Sequence, residues 1–154
     1  MNIKEIYKKS DISKDKKLVR QFSDFEKLIN ELKKRDLPSE IVNSINQDID
    51  DINAFVGSHK DLLKQLRKKQ SGIIKLIEKE LKLVTKNHYR NMWLAVGMAA
   101  FGIPFGVVFG ISLGNMAFLG VGIPIGMGIG IAIGTAMDKK ALDEGRQLDL
   151  EVKN

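Results

Sequence analysis

Cysteine is absent from this 154-residue chain, which excludes disulfides, thiolate nucleophiles and cysteine metal sites. Histidine occurs only at His59 and His88, too far apart on a helical reading to share a small site, and no His/carboxylate cluster or nucleophile elbow appears. An enzyme is therefore not expected, and neither is a cofactor. A third absence is more informative: between Asn91 and Met137 no residue is charged. As one helix that stretch would be about 70 Å long at 1.5 Å per residue, over twice the roughly 30 Å hydrocarbon core of a bilayer. It must fold back, with spans near 93–113 and 116–137 and Gly114-Asn115 as the turn between them.

What fills the uncharged stretch is glycine at every fourth position, twice: Gly102, Gly106, Gly110 and Gly114, then Gly122, Gly126, Gly130 and Gly134. Four-residue spacing clears one stripe of a helix, so a neighbouring backbone can approach closely where lipid supplies no hydrophobic drive. These eight glycines are assigned to intramolecular helix packing. Gly102-Ile103-Pro104-Phe105-Gly106 repeats twenty residues later as Gly122-Ile123-Pro124-Ile125-Gly126, and each proline leaves a carbonyl unpaired, so kinks are expected at Pro104 and Pro124. A second small row, Gly128, Ala132 and Ala136, lies on nearly the opposite face of the second span and is assigned to intersubunit packing, while Phe101, Phe105 and Phe109 form a bulky row suited to lipid. A phosphate-binding loop is not expected, since no Lys-Ser/Thr pair follows the glycines and no separate strand pattern precedes them.

The charge lies elsewhere. Residues 1–90 carry 21 Lys/Arg against 14 Asp/Glu, a net of +7, and residues 138–154 carry four against five, a net of −1. Lys86 and Arg90 precede the first span and Lys139 and Lys140 follow the second, with Tyr89 and Trp93 placed as interfacial aromatics. By the positive-inside rule both flanks, and both termini, are expected in the cytoplasm, which makes the chain a multi-pass protein of the inner (cytoplasmic) membrane. The opening residues lack the continuous apolar core of a secretory signal, which agrees with a cytoplasmic N-terminal domain. The domain organisation that follows is a cytoplasmic helical domain over 1–90, a transmembrane hairpin over 91–137 and a cytoplasmic tail over 138–154.

Within 1–90 three helices are punctuated. Ser13 is placed to cap the first, which ends near Arg35; Pro38 suits the first turn of the second; Gly57-Ser58 with Asp61 has capping-box-like spacing. Leu18, Phe22, Phe25, Ile29 and Leu32 form one apolar stripe. From Ile45 a 4,3 alternation runs through Ile49, Ile52, Val56, His59, Leu63, Leu66, Gln70, Ile73, Ile77 and Glu80 to Val84, a coiled-coil seam that allows either a folded-back bundle or one long rod. The fold class is thus all-α: a helical bundle or coiled coil followed by a two-helix membrane hairpin. Arg67, Lys68 and Lys69 form a basic cluster that reads first as a solvated face and second as an anion-binding site for headgroups or a soluble anion. Nucleic acid stays open as a partner, with no aromatic platform or reading motif to favour it.

The two GxxxGxxxG rows resemble those of bacterial two-transmembrane glycine-zipper membrane proteins over about residues 92–140. That resemblance implies tight helix association and, in some families, a homo-oligomeric pore. With it, the chain is expected to be a homo-oligomeric channel or pore-forming effector gated through its basic domain by an anionic ligand or protein partner, by analogy with small effectors of bacterial antiviral systems. The alternative is a membrane-anchored coiled-coil scaffold or adaptor that conducts nothing. Beyond Asn91 at its edge, only Ser112, Asn115 and Thr135 are polar within the hairpin, so a pore lined by the second span would be hydrophobic.

Overall fold

The computed structural model describes residues 2–7 and 15–152. Among these, five helices account for the regular structure: α1 Lys16–Lys33, α2 Ser39–Asn53, α3 His59–Leu81, and two long apolar helices, α4 His88–Ser112 and α5 Met116–Asp143. The chain divides into two compact units, one made of the described residues up to Leu83 together with those from Leu148 on, the other of Val84–Gln147.

In the first unit α1, α2 and α3 bury one face each. The α1 stripe of Leu18, Phe22, Phe25, Ile29 and Leu32, joined by Leu28, packs with Ile41, Val42, Ile45, Ile49 and Ile52 of α2 and Leu62, Leu66, Ile73 and Ile77 of α3. Ser13, the expected cap of α1, lies outside the described residues; the Asp15 side chain accepts from the amides of Lys17 and Leu18. At the start of α3 the Ser58 hydroxyl accepts from the Asp61 amide at 3.2 Å and donates to the Asp61 carboxylate at 2.6 Å.

No long rod forms. α2 stops at Asn53, and residues 54–58 turn the chain so that α2 and α3 pack against each other. The 4,3 register therefore describes two helices of a bundle. Within it, Val56 is 93% exposed, Glu80 is exposed, His59 opens α3 half-buried, and Leu62 takes the deep position expected of Leu63. The polar layer is Gln70, 5% exposed, whose Oε1 accepts from Nε2 of Gln21 on α1 at 2.5 Å while its own Nε2 is buried without an acceptor.

Residues 138–152 are not a separate tail. α5 runs on to Asp143, and Leu148 and Leu150 are buried in the core of the first unit with Val152 packed against it. The Asp149 amide donates to Glu31 Oε2 at 3.2 Å, and Lys34 pairs with the other oxygen of that carboxylate. The Lys34 ammonium, with help from the Asp149 amide, holds the Glu31 carboxyl below its ordinary range against the opposing effect of burial.

Candidate functional site: the apolar helix pair

α4 and α5 are each long and apolar enough to cross a membrane, 25 and 28 residues respectively. A core helix of a water-soluble protein would hide such a sequence. Here 22% of the apolar window of α4 and 17% of that of α5 is buried. Ile103, Val108, Ile111, Met116 and Val121 lie exposed, while the buried positions of the pair are glycines, joined only near the end of α5 by Asp138 and Ala141. Large apolar groups face outward and the smallest residues inward, the reverse of a water-soluble helix pair.

The glycines let two backbones touch. A Cβ added at Gly122 would lie closer than 3.0 Å to the Gly102 carbonyl and the Gly106 backbone, and one at Gly126 equally close to Gly97 and Gly102. Gly130 abuts the backbone of Trp93, Gly134 that of Tyr89 and Arg90, and Gly106 the Leu119 carbonyl. Gly110 faces Met116 less tightly: a Cβ added there would lie 3.2 Å from Met116 Sδ.

Two corrections concern register. Gly114, expected in the packing row, has no atom within 4 Å of an added Cβ; it adopts φ +63° and ends α4, a conformation that favours glycine. Its place in the row is taken at the other end by Gly97, five residues before Gly102. That spacing falls off an α-helical stripe, but Met98–Gly102 forms a π turn, and the extra residue returns Gly97 to the inner face. The π turn also lies just ahead of Pro104, whose ring and missing amide disfavour a regular turn there. Pro124, by contrast, stands inside an uninterrupted α-helical stretch from Leu119 to Asp143.

At the other end from the turn, Asn87 takes φ 58° and offers α4 no side-chain cap. The cap comes from α5. Asp138, 7% exposed, accepts the Tyr89 amide on Oδ1 at 3.0 Å and the Arg90 amide on Oδ2 at 2.9 Å. An anion at a helix N-terminus meets both the unpaired amides and the positive end of the helix dipole. Nothing in the sequence pairs residue 138 with residue 89, so this contact was not legible there. Immediately beyond it, Val84 and Gln147 form an isolated parallel bridge, with the Val84 amide donating to the Arg146 carbonyl at 3.0 Å.

The remaining assigned residues disperse. Lys86, Arg90, Lys139 and Lys140 are exposed at the Asp138 end, and Tyr89 is half-buried with its ring edge-on to His88. Trp93 is half-buried, its indole N–H enclosed without an acceptor. Gly128, Ala132 and Ala136 form an exposed row, with nothing within 4 Å of a Cβ added at Gly128. Two members of the basic cluster on α3 already have partners: Lys69 is bound to Asp48 at 2.7 Å and Asp51 at 2.5 Å, carboxylates that raise its pKa, and Arg67 Nε donates to Gln21 at 3.3 Å. An anion would have to displace two carboxylates to reach Lys69. Lys68 is exposed. Comparison of the chain with protein-family models, curated proteins and solved structures finds no match.

Proposed function

We propose that the protein is a membrane-anchored helical module, in which α4 and α5 insert as a hairpin closed by a glycine zipper and the three-helix unit is presented on the cytoplasmic side to a partner. The observation that carries this reading is the inverted packing of the pair, glycine inside and large apolar side chains outside. Lipid is the environment that rewards that arrangement. The hairpin's flanks support the topology: the chain leaves the first unit at Leu83 and re-enters it at Leu148, so both flanks belong on one side. Lys86, Arg90, Lys139 and Lys140 mark that side as cytoplasmic by the positive-inside rule.

The test uses the absence of native cysteine. Single cysteines at positions 60, 115 and 142 are exposed to a membrane-impermeant maleimide in intact cells and after the cytoplasm is opened. Position 115 is expected to label in intact cells and positions 60 and 142 only afterwards. Labelling of 60 and 142 on opposite sides would sink the hairpin, and release of the protein from membranes by carbonate would sink the anchor.

A second reading, a homo-oligomeric channel, is favoured by the exposed small row of Gly128, Ala132 and Ala136, which one hairpin partner leaves unfilled. In this reading span two of each copy packs on its neighbours around a hydrophobic pore closed by dewetting. Leucine at both Gly128 and Ala132 is expected to preserve insertion and to reduce the crosslinked subunit number, with any conductance in planar bilayers lost in parallel. Parental subunit number in that variant, or no discrete conductance in the parent, leaves the anchor alone.

A further inference from the structure

Residues 2–7 form no helix or strand, yet they are held in register along α2 by two side chains. Asn46 accepts the Lys4 amide on Oδ1 at 2.7 Å and donates from Nδ2 to the Asn2 carbonyl at 3.2 Å. Asn53 repeats the arrangement three residues further along, accepting the Tyr7 amide at 2.9 Å and donating to the Glu5 carbonyl at 3.0 Å. Each carboxamide thus behaves as a neighbouring strand would, offering one acceptor and one donor to the main chain of an extended segment.

The register is matched. Seven residues of α-helix advance about 10.5 Å, and the three residues from Lys4 to Tyr7, extended, advance about 10 Å. Two asparagines two turns apart therefore meet successive main-chain sites of a segment running parallel to the helix.

Main-chain bonds of this kind accept many sequences; the side chains add selectivity. Ile3 is 8% exposed and joins the core, Ile6 packs against it half-buried, and Lys4 Nζ meets Asp50 Oδ2 at 2.6 Å between the two asparagines. Tyr7 is exposed, and the Glu5 side chain is exposed with only a long contact, 3.9 Å, to Lys33 of α1 and none to α2. The face selects an apolar residue, a basic one, any residue and a second apolar one.

We infer that the α2 face carrying Asn46, Asp50 and Asn53 is a recognition site for an extended peptide of the pattern apolar–basic–x–apolar, occupied by the chain's own residues 2–7 and open to a partner segment that displaces them. Charge complementarity at Asp50 and the main-chain register of the asparagines identify the occupant. Exchange breaks no helix, since four main-chain bonds, the Lys4–Asp50 ion pair, a looser Glu5–Lys33 pair at 3.9 Å and two isoleucines are what the segment gives up. The inference is independent of the membrane reading.

The probe is the fluorescent peptide Asn-Ile-Lys-Glu-Ile-Tyr, titrated by anisotropy into the full chain in detergent. Against Ile3→Ser/Ile6→Ser, in which the internal segment competes poorly, saturable binding at least tenfold tighter than to the parent is expected. Adding Asn53→Leu should weaken it at least tenfold at unchanged helicity, and glutamate in place of the peptide's lysine should weaken it about fivefold. Absence of saturable binding, or binding indifferent to Asn53→Leu, overturns the site. A readout on the parent chain removes dependence on any variant's folding: excess peptide should accelerate hydrogen exchange at the Lys4 and Tyr7 amides while leaving the α1 amides unchanged. Unaltered exchange at Lys4 and Tyr7 equally overturns it.

Discussion

Leucine at Gly122 is expected to force the apolar helices apart, whereas leucine at Gly128 leaves the pair as it is. A side chain at Gly122 begins inside the space held by the Gly102 carbonyl and the Gly106 backbone, neither of which can rotate away as a side chain would. Overpacking a core ordinarily costs about 1–3 kcal/mol, and a clash against backbone on both sides belongs at or above the top of that range. The pair should relax toward the roughly 8–10 Å axis separation of ordinary helices. Spin labels at Val96 and Ala132, both exposed, read the separation directly. A longer distance for Gly122→Leu, with the parental distance for Gly128→Leu, is the expected pattern; equal distances would show that close backbone contact does not hold the hairpin.

The second large effect is expected far along the chain. Leu148 is fully buried, and Leu148→Ala should cost the first unit about 2–5 kcal/mol through lost transfer energy and a residual cavity. Leu142→Ala, at a residue 59% exposed, should stay within about 0.5 kcal/mol. Hydrogen exchange of the α1 amides in the full chain distinguishes the two. At 1.4 kcal/mol per factor of ten, exchange through opening of the unit should accelerate roughly thirtyfold or more for Leu148→Ala and barely at all for Leu142→Ala. Similar rates in both variants would mean that residues 148–152 dress a unit that folds without them.

Side-chain periodicity made much of this fold legible and also set its limits. The α1 stripe and the Ser58/Asp61 pair are local signals, and each corresponds to an observed helix face or cap. The seam from Ile45 to Val84 left residues 54–58 open between a break and a continuous rod because a heptad pattern records which faces are apolar and carries no mark of where a helix ends. Val56 continued the count while pointing into solvent. Gly97 was missed for a related reason, since a four-residue period has no slot for the i+5 step that a π turn creates. A signal for the returning segment was present and of another kind: Leu148, Leu150 and Val152 alternate with Asp149 and Glu151, the period of an extended strand with one apolar face. The asparagine pair on α2 and the Asp138 cap could not be found this way, since both join residues more than forty positions apart through single polar side chains.

The interleaving of the two units also orders events in time. A ribosome delivers α1, α2 and α3 first, but the core they form has places for Leu148 and Leu150, which emerge only after both apolar helices have been made. Until then the nascent three-helix bundle carries an unfilled apolar seat, filled only when Leu148 and Leu150 arrive. On the proposed membrane reading, residues 148–152 would act as a proofreading step for insertion. On that reading, a chain with one helix stranded on the wrong side would leave the first unit incomplete, and the exposed seat is the kind of apolar surface on which chaperones and quality-control proteases act.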